Sequence, residues 1–364
     1  VADVVIPMTV AGYPVTEIRD IFKSKTALRS IEIKAPVSVV NSAMFSGCIN
    51  LKSVSLPESV TSIGASAFSG CSSLTDIVLP TGVTSIGSSA FSGCRSLTAI
   101  DIPNGVKYMA SSVFKYCSSL KSIVLPEGTT EISGYAFSNC SALETIYIPD
   151  SLKTIGEYAF EDCRNLQSIH IPDGVTTISG GVFANCRSLS SINLPESITS
   201  IEENAFGYCE SLTSFTVPSG VTSIPKDAFS NCKSLADIKL HDKITTIGPK
   251  AFYYCSSLKQ ITIPASVTRI YERAFSSCTS LESVVIPDGI NTVYAGTFQL
   301  CSSLSSITIP ESVTKIEDSA FYECRALSSI IFKGTVEQWK NVKTIGNWRT
   351  FVPAKGVTCT DGNV

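Results

Sequence analysis

Only two histidines, two tryptophans and three methionines occur in 364 residues, and 16% of the chain is charged. Two histidines, His170 and His241, are too few to build a zinc cage, and no C-x-x-C accompanies them. Charge is scarce and nearly balanced, 28 basic against 31 acidic residues, a net of -3. That balance argues against a nucleic-acid binder, which concentrates Lys and Arg to displace counterions. No apolar run approaches the roughly 18 residues that span a bilayer. The nucleophile elbow G-x-S-x-G and the phosphate-cradling G-x-x-x-x-G-K-[ST] are both missing. No signal peptide is visible at Val1, and the chain starts without Met. With 44% hydrophobic residues and little charge, the surface has to be covered mostly by Ser and Thr.

What the chain does have is a period. Cysteines stand at every 23rd residue from Cys48 to Cys324. Phenylalanines keep the same step, three residues earlier, from Phe45 to Phe321. Leucines keep it from Leu28 to Leu327, and prolines from Pro57 to Pro310 with one lapse at His241. Self-similarity at such a period marks a solenoid, in which each unit buries its apolar stripe against its neighbours.

One unit, from Leu74, reads LTDIVLPTGVTSIGSSAFSGCRS. Its opening L-x-x-I-x-L alternates as a half-buried strand, with Ile77 and Leu79 inward and Asp76 and Val78 outward. Pro80 has no N–H for a ladder and stops the strand. Val83 and Ile86 return to the core. Ser89-Ala90-Phe91 is expected in a short helical or 3₁₀ turn. Stacked units should pair their strands at about 4.8 Å, giving a right-handed curved α/β solenoid. Its parallel sheet would line the concave side, and helical turns the convex side.

This unit, L-x-x-I-x-L-P-x-x-V-T-x-I-x-x-x-A-F-x-x-C, resembles the 23-residue leucine-rich repeat of BspA-like bacterial surface proteins. The resemblance covers residues 28–326 as thirteen repeats. It implies a secreted or surface-attached protein concerned with adhesion, and a binding rather than a catalytic role. Residues 1–27 read as an N-terminal cap with a degenerate repeat. Residues 327–364, which contain Trp339 and Trp348, read as a last strand and a C-terminal cap.

The cysteine column is expected to be small buried hydrophobes rather than disulfides or a redox site; Cys359, outside the column, is the candidate reactive thiol. Ser168 and His170 with Glu144 are the nearest approach to a nucleophilic triad, and the bland reading of His170 as an exposed strand residue prevails. Acids that follow the prolines (Glu58, Glu127, Asp150, Asp173, Glu196, Asp242, Asp288, Glu311) read as exposed turn residues, since one carboxylate per unit converges poorly on Ca²⁺. No catalytic residue, metal ligand or cofactor site is assigned.

The outward strand column changes chemistry at nearly every unit while the inward columns stay constant. Its members Asp101, Tyr147, His170, Asn193 and Lys239 are the candidate ligand-binding residues. The expected partner is a protein or a glycan, bound by a monomer with no nucleic acid involved. A spacer that presents other domains is the alternative. So is binding through the tyrosine-rich convex flank, which includes Tyr208, Tyr253 and Tyr254.

Overall fold

The computed structural model describes residues 3–19 and 21–364. They form two compact units, one reaching to Thr176 with Asn185–Arg187, the other made of Thr177–Ala184 and Ser188–Val364. Within each unit the 23-residue repeats are successive coils of a β-solenoid.

Each coil presents three walls. The first is the alternating segment, which in many coils is a strand paired in parallel with its neighbour, as Ser122–Val124 is with Thr145–Tyr147 and Ser214–Thr216 with Asp237–Lys239. Register is residue-for-residue at a 23-residue offset, so Ile123 lies on Ile146 and Phe215 on Ile238, and the outward residues form a column. After the proline, a second parallel ladder forms from the T-x-I segment, as in Glu131–Ile132 against Thr154–Ile155. Thr side chains strengthen it: Thr84 Oγ1 donates to Thr61 O at 3.4 Å and Thr245 Oγ1 to Thr222 O at 3.2 Å.

The third wall corrects the sequence reading. It is not helical. The one α-helix among the described residues is α1, Val336–Lys340, which follows the last repeat. In the repeats, the residues two before and two after each Phe have positive φ, for example Ser89 (57°) and Gly93 (75°) around Phe91. A helix needs consecutive right-handed residues and a bond from every N–H to the carbonyl four back. The two left-handed residues break that run, and the freed N–H groups reach the next coil instead. Ala43, Phe45 and Gly47 donate to Ala65, Ala67 and Ser69 of the following coil at 2.7–2.8 Å. In the second unit Asp227, Phe229 and Asn231 donate to Pro249, Ala251 and Tyr253 at 2.7–2.9 Å. Intervening N–H groups close local turns, as Cys48 does on Phe45 O at 3.0 Å.

These bonds set the Phe rings in file. Phe68 and Phe91 stack at 5.3 Å between centroids, Phe229 and Phe252 at 5.6 Å. Phe22, before the first full repeat, continues the file onto Phe45 at 5.6 Å. At the other end Trp348 meets Phe321 edge-on, and its carbonyl accepts the Phe321 N–H at 2.7 Å. Trp339 of α1 packs against Phe332 and Trp348.

The column cysteines are free and fully buried. Each thiol has a fixed partner, the carbonyl of the Phe one coil back: Cys71 Sγ donates to Phe45 O at 3.1 Å, Cys209 Sγ to Phe183 O at 3.3 Å. The thirteen bonds lie between 3.0 and 3.3 Å. Cysteine is therefore more than a small hydrophobe here, because its weak S–H donor faces a buried carbonyl. Cys359 is buried as well, at 8% exposure, in a hairpin formed by Thr358–Cys359 and Gly362–Asn363. The expectation of an accessible thiol there is corrected, although Cys359 is the least buried of the fourteen.

Burial pushes the column thiols up, to about 12 at Cys71, Cys140, Cys278 and Cys324. The folded chain thus keeps protons that the unfolded chain releases above the ordinary thiol value. Stability contributed by the neutral thiols is full below that value and falls as pH rises through it. We expect column thiols to be silent to a thiol reagent in the native protein and all to react in denaturant. The denaturant midpoint should fall between about pH 8 and about pH 10, where unfolded thiols ionise. Fast native labelling of several column cysteines, or a midpoint flat over that range, would refute the assignment.

Candidate functional site

Alternation along the first wall puts every second strand residue outward. All five candidates stand exposed: Asp101, Tyr147 and His170 in the first unit, Asn193 and Lys239 in the second. The same column carries apolar side chains in water, Val78 at 80%, Val124 at 65% and Val285 at 58% exposure.

In two coils the residue after the proline reaches the outward strand residue of the next coil, 20 positions later. Tyr147 Oη donates to Glu127 Oε1 at 2.7 Å. His170 Nε2 lies 3.7 Å from Asp150 Oδ1. The acid beside His170 is thus Asp150 and not Glu144, because the turn after the proline, not the strand start, abuts this position. Asp150 is almost fully exposed and cannot serve as the buried orienter that a Ser-His pair requires. Other turn acids are also engaged: Glu196 accepts from Ser219 N and Oγ, and Lys333 Nζ reaches Asp288 at 3.1 Å. Those two Ser219 bonds hold the Glu196 carboxyl below its ordinary value. Among the described residues, no three His, Cys, Asp or Glu side chains gather as metal ligands.

Among the described residues, a larger and a smaller concavity open on strand faces, and each lies where the first ladder is interrupted. Segments 76–78 and 99–101 pair with no neighbour, unlike Ser53–Ser55 before them and Ser122–Val124 after. Between them is a cleft of about 390 Å³, lined by Ile77, Val78, Leu79, Thr81, Asp101, Ile102, Pro103 and Asn104. In the second unit a cleft of about 130 Å³ lies between Ser191–Leu194 and Ser214–Thr216, with Asn193, Glu196, Phe215 and Pro218 in its lining. Sequence reasoning found Asp101 and Asn193 but not the clefts.

The turn face carries its own aromatics. Tyr135 and Tyr158 stack at 5.1 Å, with Lys115 Nζ 4.3 Å above Tyr135. Tyr253 and Tyr254 lie 6.0 Å apart, and Tyr208 and Tyr254 are 43% and 42% exposed. Their column is the left-handed one, so Tyr116, Tyr208 and Tyr254 project from the bend rather than from a helix.

Comparison with known proteins adds the decisive observation. The chain matches the BspA-type leucine-rich-repeat region in six copies, over residues 16–144, 130–259 and 222–342. It belongs to the BspA-type leucine-rich-repeat family. That family consists generally of protein-binding or surface-associated modules and is typically non-enzymatic. Among solved structures, the chain is similar to a leucine-rich repeat protein from Bacteroides ovatus, at 31% identity and a TM-score of 0.74, covering 85% of this chain and 88% of that one. It is also similar to a leucine-rich cell surface protein from Faecalibacterium prausnitzii, at 33% identity and a TM-score of 0.57, covering 94% and 90%. The pneumococcal vaccine antigen PcpA shares the fold, at 20% identity and a TM-score of 0.55, covering 95% of this chain and 88% of that one. No match is found among curated proteins. No described helix is long and apolar enough to cross a membrane.

The Tyr147–Glu127 pair is testable. The Tyr147 hydroxyl is raised above its ordinary value, first by the hydrogen bond to Glu127 and then by that carboxylate's charge. A carboxylate acceptor favours the protonated phenol and repels the phenolate. Glu127→Gln removes the charge, so Tyr147 should titrate at lower pH, read from the ¹³Cζ shift of labelled tyrosine. A Tyr147 titration identical in both proteins would show that the bond is not made in solution.

Proposed function

We propose that this BspA-type chain is a non-enzymatic binding module, secreted or at a cell surface, that recognises a protein or glycan through its strand face. The observation that carries the reading is the outward strand column. It sets acid, amide, imidazole, phenol, amine and bare aliphatic groups in water, one per coil, while the inward columns repeat Ile and Leu. A solenoid needs nothing specific at those positions, so the diversity is available for recognition. Asp101, Tyr147, His170, Asn193 and Lys239 are the proposed contacts. The similarity to a leucine-rich cell surface protein supports the location.

A second reading rests on the turn face, where Lys115, Tyr116, Tyr135 and Tyr158 form an aromatic and cationic group. Tyrosine is favoured at interfaces because an apolar ring ends in a polar tip.

A screen against matrix proteins and glycans supplies the partner. The combined Asp101→Ala, Tyr147→Ala, His170→Ala and Lys239→Ala protein should fold normally, since all four side chains are exposed. It should lose affinity by about 2 kcal/mol or more, the effect of truncating a central aromatic anchor. If it binds unchanged while Tyr208→Ala, Tyr253→Ala and Tyr254→Ala together abolish binding, the turn face is the site.

A further inference from the structure

The larger strand-face cleft, in the first unit, brings apolar side chains and a carboxylate together. Its lining is largely apolar, from Ile77, Leu79 and Ile102 at 5%, 7% and 8% exposure together with Val78 and Pro103, and is joined by the polar Thr81 and Asn104. Val78 stands in water at 80% exposure beside it. Leaving an aliphatic side chain so exposed forgoes the stabilisation that burying it would bring. One carboxylate, Asp101, is in the lining, with no ion-pair or hydrogen-bond partner among the described residues. Lys107, six residues on, is held elsewhere, its Nζ on the carbonyls of Asn104 and Glu127 at 3.1 and 3.4 Å. A second acid, Asp76, lies exposed one coil earlier on the neighbouring outward column.

A ligand that matches this site needs an aliphatic stem for the walls and a positive head for Asp101. A lysine side chain has that form, four methylenes ending in an ammonium. A neutral sugar matches it less well: Thr81 and Asn104 could pair some hydroxyls, but others would face Ile77, Val78 and Ile102, and nothing on the sugar would answer the charge of Asp101. We propose that the cleft between the 76–79 and 101–103 segments is a lysine-reading pocket for a partner protein, with Val78 and Ile102 holding the stem and Asp101 the ammonium. The proposal rests on the strand-face reading above and names the partner chemistry within it.

The test uses the whole chain and labelled hexalysine as probe, followed by fluorescence anisotropy at several salt concentrations. Hexaornithine carries the same charge on a stem one methylene shorter. Asp101→Asn should weaken hexalysine binding by about fivefold, the upper range for an exposed ion pair, and flatten its salt dependence. Val78→Ser should weaken it by about threefold, within the worth of a methylene or two of buried surface. Val285→Ser, on the strand face of the second unit, should leave it unchanged. Hexaornithine should bind more weakly than hexalysine. No hexalysine binding to the unaltered protein, an equal loss in all three variants, or a loss in Asp101→Asn alone with hexaornithine bound as well as hexalysine would each overturn the pocket. So would competition by chitohexaose, which would assign the cleft to a glycan. If the pocket fails while the four-fold alanine protein still loses the screened partner, the strand-face reading stands without it.

Discussion

The structure depends on the bend at the Phe wall, where two left-handed residues per coil turn alternate N–H groups toward the next coil. A non-glycine residue in that conformation costs about 1–2 kcal/mol. The cost is met at the same place, by cross-coil hydrogen bonds of about 1 kcal/mol each and by a Phe side chain whose full burial contributes about 1.5–3 kcal/mol. The bend therefore exists only in the stack. A single coil would have the left-handed residues without the partners that compensate them, so its stability is a property of neighbouring pairs.

The same bend explains why cysteine fills its column. The Phe carbonyl accepts the local Cys N–H and also faces the following coil, as Phe45 O does with Cys48 N and Cys71 Sγ. A larger residue would not fit beside the ring file, and alanine would leave that lone pair unmet. Three walls then consume the Leu, Ile, Val, Phe, Ala and Cys columns, and the outward strand positions remain free to vary. Recognition chemistry accumulates where packing asks for nothing, and it is most accessible where the first ladder lapses and the two clefts open.

Much of this was legible in the residues. Columns of Leu, Ile, Phe and Cys at one step announce stacked coils, and the alternation around Ile77 and Leu79 gives the strand and its outward side. The exposure of Asp101, Tyr147, His170, Asn193 and Lys239 follows from that alternation alone. Ser-Ala-Phe reads locally as helical, and the deciding bonds run to a residue 22 positions away, as from Phe45 to Ala67. A signal was nonetheless present. Two residues after Phe stand Gly47, Gly70, Gly93, Asn139, Asp162, Asn185 and Asn231, the types that tolerate left-handed backbone best. The Glu127–Tyr147 and Asp150–His170 pairs also follow once coils are laid in register. The lapsed ladder does not: the unpaired T-D-I-V-L-P of 75–80 and the paired K-S-I-V-L-P of 121–126 share their last four residues. The two segments differ only at Thr75-Asp76 against Lys121-Ser122, and neither pair carries a pattern that marks a lapse.

The central claim is that the Phe N–H bonds across coils, and a through-hydrogen-bond NMR coupling measures it directly. On deuterated, ¹⁵N,¹³C-labelled protein, the account predicts a coupling between Phe68 N and Ala90 C′, across a bond of 2.8 Å. A helical or 3₁₀ turn would instead couple Phe68 N to Gly64 C′ or Ala65 C′. Observing either of those, with no coupling to Ala90, would contradict it.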